Sequence, residues 1–161
     1  MLALTGGTLI DGAGGPPVPG ATVLVNGQGR IEAVGRREAV TLPPDCRIID
    51  ITGHTLLPGL IDCHDHLTSF GYGLMGRWGR SEPHSTRTMR VAKVMEETLL
   101  TGYTAIRDCG WLDAGYKQAV EQGLIPGPRL QVATSPLSPT QGTQDRSSPS
   151  GHHQPYPFSV L

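Results

Sequence analysis

The chain has 161 residues and a formal net charge of −1, with a pI of about 6.6, so it carries no electrostatic footprint for nucleic acid or an acidic membrane surface. Hydrophobic residues make up 37% and charged residues 17%, and the 22 glycines and 14 prolines argue for short elements joined by turns rather than a helical bundle. The 3 cysteines, Cys46, Cys63 and Cys109, fall in no CxxC or Cys/His spacing, and the N-terminus has neither a basic leader nor an apolar run long enough to span a membrane. This points to reduced thiols in a cytoplasm, acting as small buried hydrophobes.

From Leu2 to about Ile51 the runs LALTGGTLIDG, GATVLVNGQGRIEAVG and CRIIDITG are separated by turn residues and read as a small β-sheet unit. Val23 and Val25 followed by Asn26-Gly27 give a hairpin signal, with Ile31, Ala33 and Val34 on the returning strand. Gly12, Gly14 and Gly15 are turn glycines rather than a phosphate loop, since neither GK[ST] nor a helix follows. His54, beside Gly53, reads as a turn histidine.

The stretch Thr55 to Leu67, TLLPGLIDCHDHL, organises the rest. Leu56, Leu57, Leu60 and Ile61 lead through Pro58 and Gly59 into two histidines one residue apart, the pattern of a buried strand ending in chemistry. Side chains alternate along a strand, so His64 and His66 point one way, Cys63 and Asp65 the other. Two imidazoles on one side can share a zinc-type divalent ion, which takes neutral imidazole nitrogen at about 2.0–2.1 Å. On spacing alone, a pair of solvated loop histidines is an equal alternative. Asp62, two residues before His64, falls on the same face, where it serves either as a hydrogen-bonding anchor beneath an ion or as a purely structural polar group.

The segment PGLIDCHDH, Pro58 to His66, closely resembles the first metal-binding segment of the amidohydrolase superfamily, metal-dependent hydrolases built on a (β/α)8 barrel. The resemblance implies that this segment closes barrel strand 1 and that His64 and His66 bind the more buried metal. It further implies one or two divalent ions, zinc foremost, and residues 1–54 contributing to a β-sandwich completed by the far C-terminal end of a longer chain.

After His66 a glycine-rich connection, TSFGYGLMGRWGRSEPH, exceeds the usual strand-to-helix loop, and Phe70, Tyr72 and Trp78 either line a substrate pocket or pin the loop. Met89, Ala92, Val94, Met95, Leu99 and Leu100 recur at helical spacing, predicting a helix from about Ser85, its N-cap, to Leu100, stopped by Gly102. Thr104 to Asp108, TAIRD, is a second strand, and GYTAIRDCG is similar to the second barrel strand of the same superfamily. That similarity places Asp108 near the active face, fixing a loop or neighbouring strand through hydrogen bonds. Asp113 caps a second helix to Gln122, stopped at Gly123, and LIPGPRLQVAT turns into a third strand, Arg129 to Ala133. PGPRL is similar to the imidazolonepropionase-like and Xaa-Pro dipeptidase-like branch, although SPTQGTQD, Ser138 to Asp145, lacks the histidine that branch places after its third strand. From Asp145 the chain is irregular, and the adjacent His152 and His153 read as solvated loop histidines.

The fold class is therefore α/β: about three βα units of a (β/α)8 barrel over residues 55–134, preceded by the sandwich segment 1–54 and followed by an irregular tail, 135–161. A complete barrel needs about 250 residues, so the fold is incomplete in this chain. The resemblance implies hydrolysis of C–N bonds in amides, cyclic amides or dipeptides by metal-activated water. The remaining ligands and the catalytic proton shuttle are expected from strands 4 to 8 of a longer chain. The alternative is a catalytically incompetent remnant that binds metal weakly or associates with other chains. The implied partners are small-molecule substrates and, for the whole protein, copies of itself, with no nucleic acid and no membrane.

Overall fold

The computed structural model describes residues 1–68, 83–140, 142, 145 and 150, in two compact units, Met1–Pro58 and Gly59–Leu161. The first unit is one mixed sheet. Strands β1 (Leu2–Leu9), β2 (Val18–Val25), β3 (Ile31–Arg36) and β4 (Arg47–Asp50) run in the order β3-β2-β1-β4, and β5 (Thr55–Leu56) also pairs with β1. The β1/β2 and β2/β3 pairs are antiparallel, while β4 and β5 lie parallel to β1. Ala21, Thr22, Val23 and Leu24, at the middle of β2, are all buried, so this central strand is covered on both faces, and Ala3, Leu24 and Val40 form the core. The β2–β3 hairpin is longer than the two-residue turn that Asn26-Gly27 predicts. Asn26 accepts from the Gly29 N–H through its carbonyl and from the Gln28 and Arg30 N–H groups through its side chain, and the left-handed position falls on Gly29 instead. Ile31, Val34 and Ile48 are exposed on this sheet.

The second unit alternates strand and helix: β6 (Leu60–Asp65), α1 (His84–Leu100), β7 (Tyr103–Asp108), α2 (Ala114–Glu121) and β8 (Arg129–Val132). The strands pair in parallel in the order β6-β7-β8. This is the βα repeat that the helical and strand periodicities predict. Helix α1 begins one residue earlier than expected, and its N-cap is Pro83, without a side-chain cap bond, rather than Ser85. Its buried stripe is Arg87, Val91 and Met95, spaced by one turn, whereas Met89 and Leu100 face outward. Val91 and Met95 pack with Leu67, Ile106, Leu112 and Leu130 as the core of this unit. At α2 the expected cap is present: the Asp113 side chain accepts from the Gly115 N–H.

The apolar lead-in to the histidines differs from one buried strand. Thr55 and Leu56 pair with β1 in the first unit, and β6 begins only at Leu60, because Pro58 has no N–H to donate to a ladder. Gly59 is required at the junction, since a Cβ there would fall on the Thr104 side chain. Among the described residues β6 is an edge strand; its Leu60 and Ile61, and Leu57 before it, are exposed rather than buried. Cys63 is likewise exposed and Cys109 only half-buried, unlike the buried hydrophobes predicted, whereas half-buried Cys46 packs against the core of the first unit.

Candidate active site at the ends of three parallel strands

Loops after the C-terminal ends of parallel strands are where α/β folds build their sites, and here three such ends are fastened together. In β6 the register advances from Asp62↔Ile106 to Asp65↔Asp108, three residues against two, which is a β-bulge at Cys63–His64. The bulge changes the predicted alternation. Asp62 is level with Ile106, on the face packed against the helices, so it does not share the histidines' side. Its carboxylate instead accepts from the His64 backbone N–H at 2.9 Å. His64 and His66, on either side of Asp65, do come together: their ring centroids are 5.4 Å apart at an interplanar angle of 75°.

Two imidazoles sharing one tetrahedral ion at the usual metal–nitrogen distance would have their centroids roughly 5 Å apart, so the pair fits a common ion. The His66 Nδ1 faces the Gly110 carbonyl at 3.5 Å, and its ring lies 5.0 Å from that of Trp111. Among the described residues no group of three or more His, Cys, Asp or Glu could hold a metal.

Asp108 is fully buried. Its Oδ2 accepts from the Leu67 N–H at 2.8 Å and its Oδ1 from the Gly110 N–H at 2.9 Å, which ties the loop after β6 to the loop after β7. Burial pushes its carboxyl above the ordinary aspartate range, opposed by those backbone hydrogen bonds and by the nearby His66. The loop after β8 joins through the Trp111 N–H, which donates to the Thr134 carbonyl at 2.8 Å.

Phe70, Tyr72, Trp78, His152 and His153 lie outside the described residues. His54 is exposed, with its Nδ1 3.2 Å from the Thr52 carbonyl, and His84 is exposed at the start of α1. Sequence reading passes over Arg107, Gly110, Trp111 and Thr134. The available signal is position alone: Arg107 lies in β7, beside the strand that carries His-x-His, Gly110 and Trp111 follow the end of β7, and Thr134 follows the end of β8.

The amidohydrolase family model matches residues 55–155. An imidazolonepropionase from Idiomarina loihiensis is 42% identical over 64 residues, 40% of this chain and 15% of that enzyme. A dihydroorotase from Syntrophus aciditrophicus is 42% identical over 72 residues, 44% of this chain and 16% of that enzyme. The crystal structure of a prolidase complexed with N-methylphosphonate-L-proline superposes with a TM-score of 0.80 at 32% identity, over 96% of this chain and 36% of that one. The chain thus spans only a minor part of the length of these proteins. With the family's pattern running through the histidine segment and all three parallel strands, the chain belongs to the amidohydrolase family.

Proposed function

We propose that the protein acts as, or within, a metal-dependent hydrolase of C–N bonds in small amides, cyclic amides or dipeptides, with His64 and His66 as two ligands of a zinc-type divalent ion. The observation that carries this reading is the imidazole pair, 5.4 Å apart, at the end of a parallel strand inside the family-matched segment. Support for the substrate class comes from the relatives' names, an imidazolonepropionase, a dihydroorotase and a prolidase. In this reading β6 to β8 are the first strands of a (β/α)8 barrel and the sheet up to Pro58 is one layer of a sandwich. Free cysteines support a cytoplasmic setting, and among the described residues no helix is long and apolar enough to cross a membrane.

Such an ion, when bound, supplies an activated water and polarises the scissile carbonyl. The residues of this chain hold and shape the site. With its Nδ1 turned to the Gly110 carbonyl, His66 would offer Nε2 as ligand. Asp108 holds the Leu67 and Gly110 backbones, keeping the ring's anchor in place. The Trp111 ring lies beside that of His66, with centroids 5.0 Å apart. In this reading the remaining ligands and a proton-shuttling aspartate would come from later strands of such a barrel.

A second reading, a remnant that binds metal weakly and works by association, rests on the exposed apolar edge of β6. One comparison separates the two: metal content and hydrolysis of imidazolone, hydantoin and Xaa-Pro substrates, by the 161-residue chain and by one extended past Leu161. Hydrolysis by the extended chain that requires both His64 and His66 is the expected result. A metal-free, inactive extended chain, or activity that survives loss of both histidines, would overturn the proposal.

A further inference from the structure

The bulge in β6 takes the Cys63–His64 peptide out of regular ladder pairing with β7. Both polar groups of this one peptide are met by charged side chains. The His64 N–H donates to the Asp62 carboxylate at 2.9 Å, and the Cys63 carbonyl accepts from Arg107 Nε at 2.7 Å. Asp62 comes from the same strand and Arg107 from the neighbouring one. The Cys109 thiol, 3.9 Å from the same carbonyl, is a weaker neighbour.

A carboxylate at the N–H end and a guanidinium at the C=O end reinforce the peptide's own dipole, and charge-assisted hydrogen bonds are about twice as strong as neutral ones. A peptide plane fixes the ψ of the residue before it and the φ of the residue after it. The orientation of this plane therefore sets the direction in which the His64 Cα–Cβ bond leaves the backbone. We propose that Asp62 and Arg107 are positioning residues, a two-sided clamp on the Cys63–His64 peptide that aims the His64 imidazole at its place beside His66. The functional meaning of the clamp rests on the metal-ligand reading of the two histidines; its geometric content does not.

Two measurements on the purified chain test this. The first is the nuclear Overhauser contact between the His64 and His66 imidazole protons without metal, with the His66–Trp111 contact as internal control. The second is Co(II) binding followed by its visible absorption. Arg107→Met and Asp62→Ala should lose the first contact, keep the control, and bind Co(II) about 10- to 100-fold more weakly, the range for partners that orient a ligand. Arg107→Lys and Asp62→Asn, which keep a donor and an acceptor, should restore most of both signals. If Arg107→Met does not fold, Asp62→Ala decides on the same readouts. An Arg107→Met chain with the wild-type imidazole contact and wild-type Co(II) affinity would overturn the clamp. If the wild-type chain binds no Co(II), the metal reading fails, and the imidazole contact alone decides the clamp.

Discussion

Trp111 donates its backbone N–H to the Thr134 carbonyl at 2.8 Å, and both residues adopt left-handed backbone, with φ of 75 and 58. For an L-residue with a Cβ this conformation is unfavourable by roughly 1–2 kcal/mol, and such strain concentrates near functional sites. Thr134 is exposed, so its side chain contributes little packing in return. Thr134→Gly should therefore raise stability by about 0.5–1 kcal/mol after allowing for the added freedom of glycine in the unfolded chain. Urea unfolding measures this, and a drop in the midpoint would mean that the Thr134 side chain holds the loop.

Replacing either His64 or His66 by Ala should weaken zinc-type metal binding by more than the roughly 10–100-fold that an orienting partner is worth. His54→Ala, His84→Ala, His152→Ala and His153→Ala should bind nearly as the wild type does. Metal content after dialysis against a weak chelator reads this directly. Equal losses at all six positions would mean that the retained metal is not held by the strand-end pair.

Asp108→Asn keeps the side chain's shape but leaves one acceptor for two buried N–H groups, a loss of about 1–3 kcal/mol. The pH dependence has a definite sign. Burial raises the native carboxyl above its ordinary 3.8, so between that value and the raised one the native state holds more protons than the unfolded state. The Asp108 contribution is then fully present below 3.8 and declines as pH rises through the raised value. The stability difference between wild type and Asp108→Asn, followed by urea titration from acid to neutral pH, should shrink and then level off. A difference that grows over that interval would contradict the assigned shift.

The 161-residue chain should associate through β6 and show no turnover above that of free metal ion. Two imidazoles hold an ion loosely, and an unpaired apolar edge invites strand addition. Ile61, 68% exposed on that edge, is the place to block it. Ile61→Lys should lower light scattering at equal concentration while leaving unfolding stability within about 0.5 kcal/mol. Unchanged scattering would place the sticky surface elsewhere.

What could be read from sequence is what depends on near neighbours. The Asp113 cap and the stops at Gly102 and Gly123, which sit at φ of 100 and 69, follow from local backbone chemistry. The strands Tyr103–Asp108 and Arg129–Val132 match their predicted positions to within a residue. The stripe of α1 was less legible, because Val91 and Met89 are equally apolar and only the packing against β7 and β8 decides which is buried. The bulge at Cys63–His64 escaped because it is defined by the register with β7, and Arg107, which completes it, lies 44 residues along the chain. Left-handed Trp111 and Thr134 escaped for another reason: neither residue type signals positive φ. Pro58-Gly59 was legible as a boundary, but the reason for the glycine, the Thr104 side chain facing it, required the neighbouring strand.

Asp108 gathers the amides of Leu67 and Gly110 on a single carboxylate. Loosening that side chain exposes both amides to solvent at once, although they lie more than 40 residues apart in sequence. Native-state hydrogen exchange should then find one opening free energy shared by the two, with Leu67 and Gly110 behaving as members of a single cooperative unit. The backbones on either side of His66 would breathe on one clock, and the imidazole would be either fully seated or fully released.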